Sequence, residues 1–195
     1  DVIIYCAGIN DFLECAKSPR MAEAVNSFGP VMLSNAADTV PHRFVYLSSA
    51  YVFDGSKGNF SESDVISPET NFGKSKTAGE NYVRSKCLTH TILRFSPVYG
   101  MGSIYRPSYF DQIRMKLERG QRVELAENEI HSFLSLQVAL QAIERVCVAE
   151  TKNKTYHLGG LTKISYFEFG RLIAKTFGFD PNLVVTNKGQ FENKV

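Results

Sequence analysis

Residues 45–55 read VYLSSAYVFDG, and residues 68–82 read PETNFGKSKTAGENY. The first is an apolar strand that runs into a serine pair, Ser48 and Ser49. The second is a helix that carries Phe72 and Lys76 four positions apart, on one face. The serines stand just past the carboxyl end of the strand, where open α/β sheets place their ligands. The competing reading is that their hydroxyls only cap the turn.

The same texture extends outward from this block. Phe44–Leu47, Val2–Cys6 and Thr91–Phe95 are continuous apolar runs rather than alternating ones, which suits strands covered on both faces. A helical pattern fills the gap between the first two, with Met21, Ala24, Val25, Phe28, Met32, Leu33 and Ala36 close to a 3.6 period between Met21 and Thr39. Strand, helix, strand, helix, strand implies a parallel sheet with right-handed crossovers. Pro30 has no N–H, so inside a helix the carbonyl of Asn26 lacks its partner four residues on. A kink follows; a carbonyl that holds a water is the alternative.

Beyond Arg94 the pattern changes. Residues 96–107 are loop-like, with Pro97, Gly100, Gly102 and Pro107. Helices are expected over Tyr109–Arg119 and within the amphipathic stretch Leu134–Glu150, and a short strand over Thr155–Leu158. Ser165-Tyr166-Phe167-Glu168 matches a capping box, so a helix starts there and stops at Gly178. Residues 188–195 are polar and read as a loose end.

Composition bounds the rest. The 195 residues carry a net charge of +2 and 44% apolar residues, which gives no argument for nucleic acid or a membrane surface. No apolar run approaches the ~18 residues of a membrane span. Cys6, Cys15, Cys87 and Cys147 are scattered without a CxxC pair, and read as buried free thiols in a reducing compartment. His42, His90, His131 and His157 lack ligand spacing, so no metal site is expected.

The combined block, LSSAYVFDG followed by FGKSKTAGE, resembles the active-site region of the extended short-chain dehydrogenase/reductase family, and within it the RmlD-like dTDP-4-dehydrorhamnose reductase branch. The resemblance covers most of residues 1–180. It implies an α/β fold: a partial Rossmann, doubly wound parallel sheet over residues 1–95, and a mostly substrate-binding α/β subdomain over 96–195. A GxxGxxG turn for the dinucleotide pyrophosphate is not found in these residues. The chain therefore reads as lacking its first βαβ units, with a strand at residue 2 that needs neighbours on both sides.

The resemblance also implies a function. The family acts on nucleotide-activated sugars with NAD or NADP, in the cytoplasm, and a homodimer is among its expectations. Ser49, Phe72 and Lys76 fall on catalytic positions. Cys6, Ala7, Gly8, Ser48, Lys76, Ser96, Pro97 and Val98 fall on cofactor-side positions, and Ser49, Tyr51, Phe72 and Arg106 on substrate-side ones. Cys6-Ala7-Gly8 reads equally well as a simple turn.

Two departures matter. The family has a proton-transferring tyrosine where this chain has Phe72, and the rhamnose-type reductases have an acidic residue where it has Ala50. Tyr51 and Ser75 are the nearby groups that could replace the lost phenol. The alternative function is a non-catalytic nucleotide-binding or regulatory homologue, resembling the regulatory subunit of methionine adenosyltransferase.

Overall fold

The structure, a computed structural model, describes residues 1–103, 105, 107–149 and 151–187. In chain order the elements are β1 (Val2–Tyr5), α1 (Phe12–Lys17), α2 (Pro19–Glu23), α3 (Gly29–Ala36), β2 (Arg43–Ser49), α4 (Asn71–Lys86) and β3 (His90–Phe95). There follow β4 (Val98–Tyr99), α5 (Tyr109–Glu118), β5 (Val123–Ala126), β6 (Ile130–His131), β7 (Leu134–Ser135), α6 (Leu136–Val148), β8 (Lys154–Leu158), β9 (Ile164–Ser165), α7 (Tyr166–Phe177) and β10 (Val184–Asn187). They form two compact units: Asp1–Ser96 with Leu140–Leu158, and Pro97–Ala139 with Gly159–Val195. The boundary expected near residue 96 is thus crossed twice more. Residues 140–158 return to the first unit because β8 completes its sheet.

That sheet has the order β1-β2-β3-β8, and every pair is parallel. Tyr5 pairs with Tyr46, Tyr46 with Ile92, and Ser48 with Arg94. Phe44, Val45, Tyr46, Ile92 and Leu93 are wholly buried, which is the physical reason their runs lack alternation. The carboxyl ends of β1, β2 and β3 lie along one edge, as the parallel pairing requires. The Arg43 guanidinium donates to the carbonyls of Cys147, Ala149 and Thr151, and so satisfies acceptors at the end of α6.

The helix read over Met21–Thr39 runs from Pro19 to Ala36 and contains a π turn at Ala24–Phe28. The wider turn is how the chain accommodates Pro30. α4 is capped by Thr70, whose hydroxyl accepts from Gly73 N. α1 was not expected: Asp11 caps it by accepting from Glu14 N.

In the second unit, β5 pairs with β10 in parallel, β4 with β7 in parallel, and β6 with β9 antiparallel. Ile113, Leu117, Leu125, Phe133, Phe169 and Ile173 form its core, with Phe133 and Phe169 stacked at 4.2 Å. The expected capping box is present on α7: Ser165 Oγ accepts from Glu168 N, and Glu168 Oε2 accepts from Ser165 N. The helix ends at Gly178, left-handed with φ 74°. No helix among the described residues is long and apolar enough to cross a membrane.

Candidate functional site

Lys76 is the centre of the site. It lies one turn into α4 and is only 7% exposed. Its Nζ donates to the carbonyl of Leu47, near the end of β2, at 2.9 Å. The ammonium also sits 5.2 Å from the Tyr46 ring centroid and 6.0 Å from that of Phe72. Burial lowers its pKa to about 8, opposed by the nearby Cys15 and Glu80. A β-carbon placed on Gly8 would lie 3.4 Å from Nζ, so the backbone after β1 comes right up to the ammonium.

Around this cation the structure sorts the residues picked out by sequence. Ser49 is buried at the end of β2, and its hydroxyl accepts from Tyr51 N at 3.3 Å, which caps a short 3₁₀ turn over Ala50–Val52. Phe72 is buried, with its ring edge-on to Phe12 at 5.3 Å and to Tyr51 at 6.0 Å. Phe12 also meets Tyr51 at 4.8 Å. Three aromatic rings therefore pack where the sequence comparison expects a phenol. Phe12 carried no sequence signal of its own, since it lies in a helix too short to show periodicity.

Ser75, one candidate to replace that phenol, is not available. Its hydroxyl donates to the carbonyl of Phe72 at 2.8 Å and accepts from Asn26 Nδ2 at 2.9 Å. Cys6, Ala7 and Gly8 are exposed along the strand-end edge. Cys6 is thus a correction to the expectation of four buried thiols, and Cys147 is only half-buried. Cys15 and Cys87 are buried, and burial raises the Cys15 thiol to about 11, helped by Asp11 and Glu14.

Ser48 does something the sequence did not suggest. Its hydroxyl donates to Glu80 Oε1 at 2.6 Å, so its proton is directed into the first unit's interior. Glu80 is fully buried and receives Arg94 twice, Nε at 2.9 Å and Nη2 at 2.7 Å. This two-pronged pair is the strongest geometry available to a carboxylate and guanidinium. Arg84 adds a third contact to Glu80 at 3.2 Å. Arg94 Nη1 meets His157 Nε2 at 3.2 Å, and His157 Nδ1 meets the Phe60 carbonyl at 3.1 Å. Since a guanidinium only donates and a carbonyl only accepts, these contacts require the neutral ring with its proton on Nδ1. Phe53 stacks on Phe60 at 4.4 Å with Arg94 above it, which ties residues 53–60 to the same network.

Ser96 stays with the first unit, its N–H donating to Leu158 O at 2.8 Å. Pro97 and Val98 belong to the second, where the Pro97 carbonyl accepts from Leu134 N and Val98 pairs with Leu134. Arg106, expected on the substrate side, lies outside the described residues, as do residues 188–195. Among the described residues there is no group of three or more His, Cys, Asp or Glu that could hold a metal ion.

The parallel sheet with its connecting helices is that of an α/β protein, and the fold is the Rossmann type shared with solved reductases. The chain belongs to the family described as the RmlD substrate binding domain, whose model matches residues 1–193. It is 30% identical over 188 residues to the probable low-salt glycan biosynthesis reductase Agl14 of Haloferax volcanii, a match that takes in 94% of this chain and 62% of that protein. It is 26% identical over 186 residues to the methionine adenosyltransferase 2 subunit beta of Rattus norvegicus, covering 90% of this chain and 54% of the relative. The chain thus spans little more than half to three-fifths of these relatives. Among solved structures, the dTDP-4-dehydrorhamnose reductase of Bacillus anthracis, determined with NADP, superimposes with a TM-score of 0.86 at 23% identity, over 96% of this chain and 65% of that one.

Two outcomes test the electrostatics. Arg94→Met leaves a buried carboxylate short of its main partner and should cost about 3–5 kcal/mol in urea unfolding. The double change Glu80→Leu with Arg94→Met should recover most of that loss. For Lys76, the folded value of about 8 lies below the ordinary 10.5. Between those values the unfolded chain binds more protons, so stability should rise as pH climbs from about 8 to 10.5. Lys76→Met should remove that rise when unfolding is compared across the same pH series.

Proposed function

We propose that the protein binds a nicotinamide dinucleotide and works as an NAD- or NADP-dependent reductase or epimerase of nucleotide-activated sugars, with a proton-transfer step weakened at Phe72. Lys76 carries this reading. An ammonium has three donors and Leu47 O takes one. The remaining capacity, beside a glycine backbone at Gly8, suits the paired hydroxyls of a ribose. The exposed small residues Ala7 and Gly8 leave the close approach that such a ligand needs. The fold is shared with a reductase solved with NADP, and the Haloferax relative is named a reductase.

In this reading the dinucleotide supplies the hydride when bound. Lys76 holds the ribose and keeps a positive charge at the reacting end. Ser49 orients the substrate oxygen through its hydroxyl, and Tyr51 borders the sugar. The second unit is assigned to substrate recognition. Phe72 fills the place of an acid without having a proton to give. General acid catalysis is commonly worth about 10²–10⁴ in rate, so turnover should be slow by a factor of that order.

A specific observation favours a second reading, that of a regulatory homologue. Phe72 is not merely a lost hydroxyl: its ring packs with Phe12 and Tyr51, as a structural residue would. The likeness to the rat methionine adenosyltransferase subunit points the same way.

Titration of NADH and NADPH fluorescence, followed by turnover on nucleotide-linked keto sugars, separates these readings. The full-length protein should bind at least one dinucleotide. Phe72→Tyr should raise turnover about 10²-fold or more while leaving binding nearly unchanged. Failure of both dinucleotides to bind would reject the proposal. Binding without turnover in either form would select the regulatory reading.

A further inference from the structure

Pro30 withdraws a backbone donor from the π turn at Ala24–Phe28, and two strand tyrosines stand where that donor is missing. At helical spacing Pro30 would serve the carbonyl of Asn26, and at π spacing that of Val25. Tyr46 Oη donates to Asn26 O at 2.7 Å, and Tyr5 Oη donates to Val25 O at 2.8 Å. The two tyrosines are register partners on adjacent strands. Each phenol is admitted by a glycine: a β-carbon on Gly79 would fall on Tyr46 Oη and Asn26 O, and one on Gly29 would fall on Tyr5 Oη. Burial, then the charge of Glu80, raises the Tyr46 pKa, so its hydroxyl stays a donor.

The two bonds differ in what lies beyond them. Asn26 is fully buried, and its side-chain amide is saturated. Oδ1 accepts from Ile9 N at 2.9 Å, and Nδ2 donates to Ile9 O at 2.9 Å and to Ser75 Oγ at 2.9 Å. Gripping both the N–H and the C=O of one residue is the pattern of a strand partner. It fixes the segment Cys6–Ile9, and a β-carbon on Gly8 would lie 3.2 Å from Asn26 Oδ1 as well as next to Lys76. Val25 has an apolar side chain and offers no such grip.

We propose that Tyr46 is a positioning residue: through Asn26 its hydroxyl sets the Cys6–Ile9 segment against Lys76 and so shapes the dinucleotide side of the site. This rests on the reading of that segment as the cofactor side. Loss of the hydroxyl would leave the Tyr46 ring, its burial and its contact with the Lys76 ammonium in place. The register of the sheet would not change. What would change is the anchoring of Asn26, and with it both bonds to Ile9.

The test compares Tyr46→Phe with Tyr5→Phe in the full-length protein, by hydrogen exchange at the Ile9 amide and by NADH and NADPH titration. Tyr46→Phe should speed Ile9 exchange at least tenfold and weaken dinucleotide binding roughly tenfold. Tyr5→Phe removes a bond of the same kind and should leave both readouts within about twofold. Asn26→Ala removes both bonds to Ile9 at their source and should speed Ile9 exchange at least as much as Tyr46→Phe does. If Tyr46→Phe alone does not fold in buffer, the same exchange measured in sucrose, which favours the compact state, carries the test. Unchanged Ile9 exchange in Tyr46→Phe, or equal effects of both tyrosine changes, would each overturn the proposal. Absence of dinucleotide binding in the unaltered protein would count against the proposed function alone, since Ile9 exchange reads the positioning role without ligand.

Discussion

A lysine ammonium held out of water at the end of a strand is the constraint around which the first unit is arranged. Taking a cation from water is costly unless acceptors and polarisable groups surround it. Lys76 is given a carbonyl from β2, the faces of Tyr46 and Phe72, and the charge of Glu80 further along its own helix. Those contacts fix the position of α4 against the sheet. The same helix supplies Glu80 to Arg94 on β3 and Ser75 to Asn26 on the preceding helical run. One helix thus ties together β2, β3 and the chain that follows β1, which are the parts whose ends border the candidate site.

The sequence matches the pattern it resembles at some positions and departs from it at others. Of the residue types in that pattern, the lysine (Lys76) and the strand-end serine (Ser49) are present in the sequence. The acid is not. With Ser75 committed to the Phe72 carbonyl and to Asn26, its hydroxyl cannot stand in for it. The aromatic group of Phe12, Tyr51 and Phe72 then makes position 72 part of a packed cluster. Restoring a phenol at that position asks the cluster to admit one oxygen, a small change beside the gain a proton donor offers.

Much of this was legible in the sequence where the physics is local. Continuous apolar runs announced β1, β2 and β3; burial on both faces accounts for β2 and β3, whereas β1 leaves Val2 and Ile4 exposed, against the expectation of a strand covered on both faces. Ser165 and Glu168 announced the start of α7, and Gly178 its end, because capping involves neighbours within four residues. The family motif put Ser49, Phe72 and Lys76 on catalytic positions; in the structure Ser49 ends β2, and Lys76 reaches the Leu47 carbonyl with the Phe72 ring 6.0 Å from its ammonium. Other features had no local signature. Two-residue strands such as β4, β6 and β9 are too short for any period to register. The return of residues 140–158 to the first sheet depends on β8 pairing with β3. Ser48 was read as facing a ligand, yet its partner Glu80 lies 32 positions away. Asn26 looked like a bystander to Pro30 because its partners, Ile9, Tyr46 and Ser75, come from three distant stretches of the chain.

The central claim is that the Lys76 ammonium, fixed by Leu47 O and flanked by Gly8, is the anchor for a nicotinamide ribose. A crystal structure of the full-length protein grown with NADPH or NADH tests it most directly. The account predicts ribose hydroxyls within hydrogen-bond distance of Lys76 Nζ, with the bond to Leu47 O retained and the Cys6–Ile9 segment unmoved. A dinucleotide bound away from Lys76, or a Lys76 side chain withdrawn from Leu47 O when ligand is present, would contradict it.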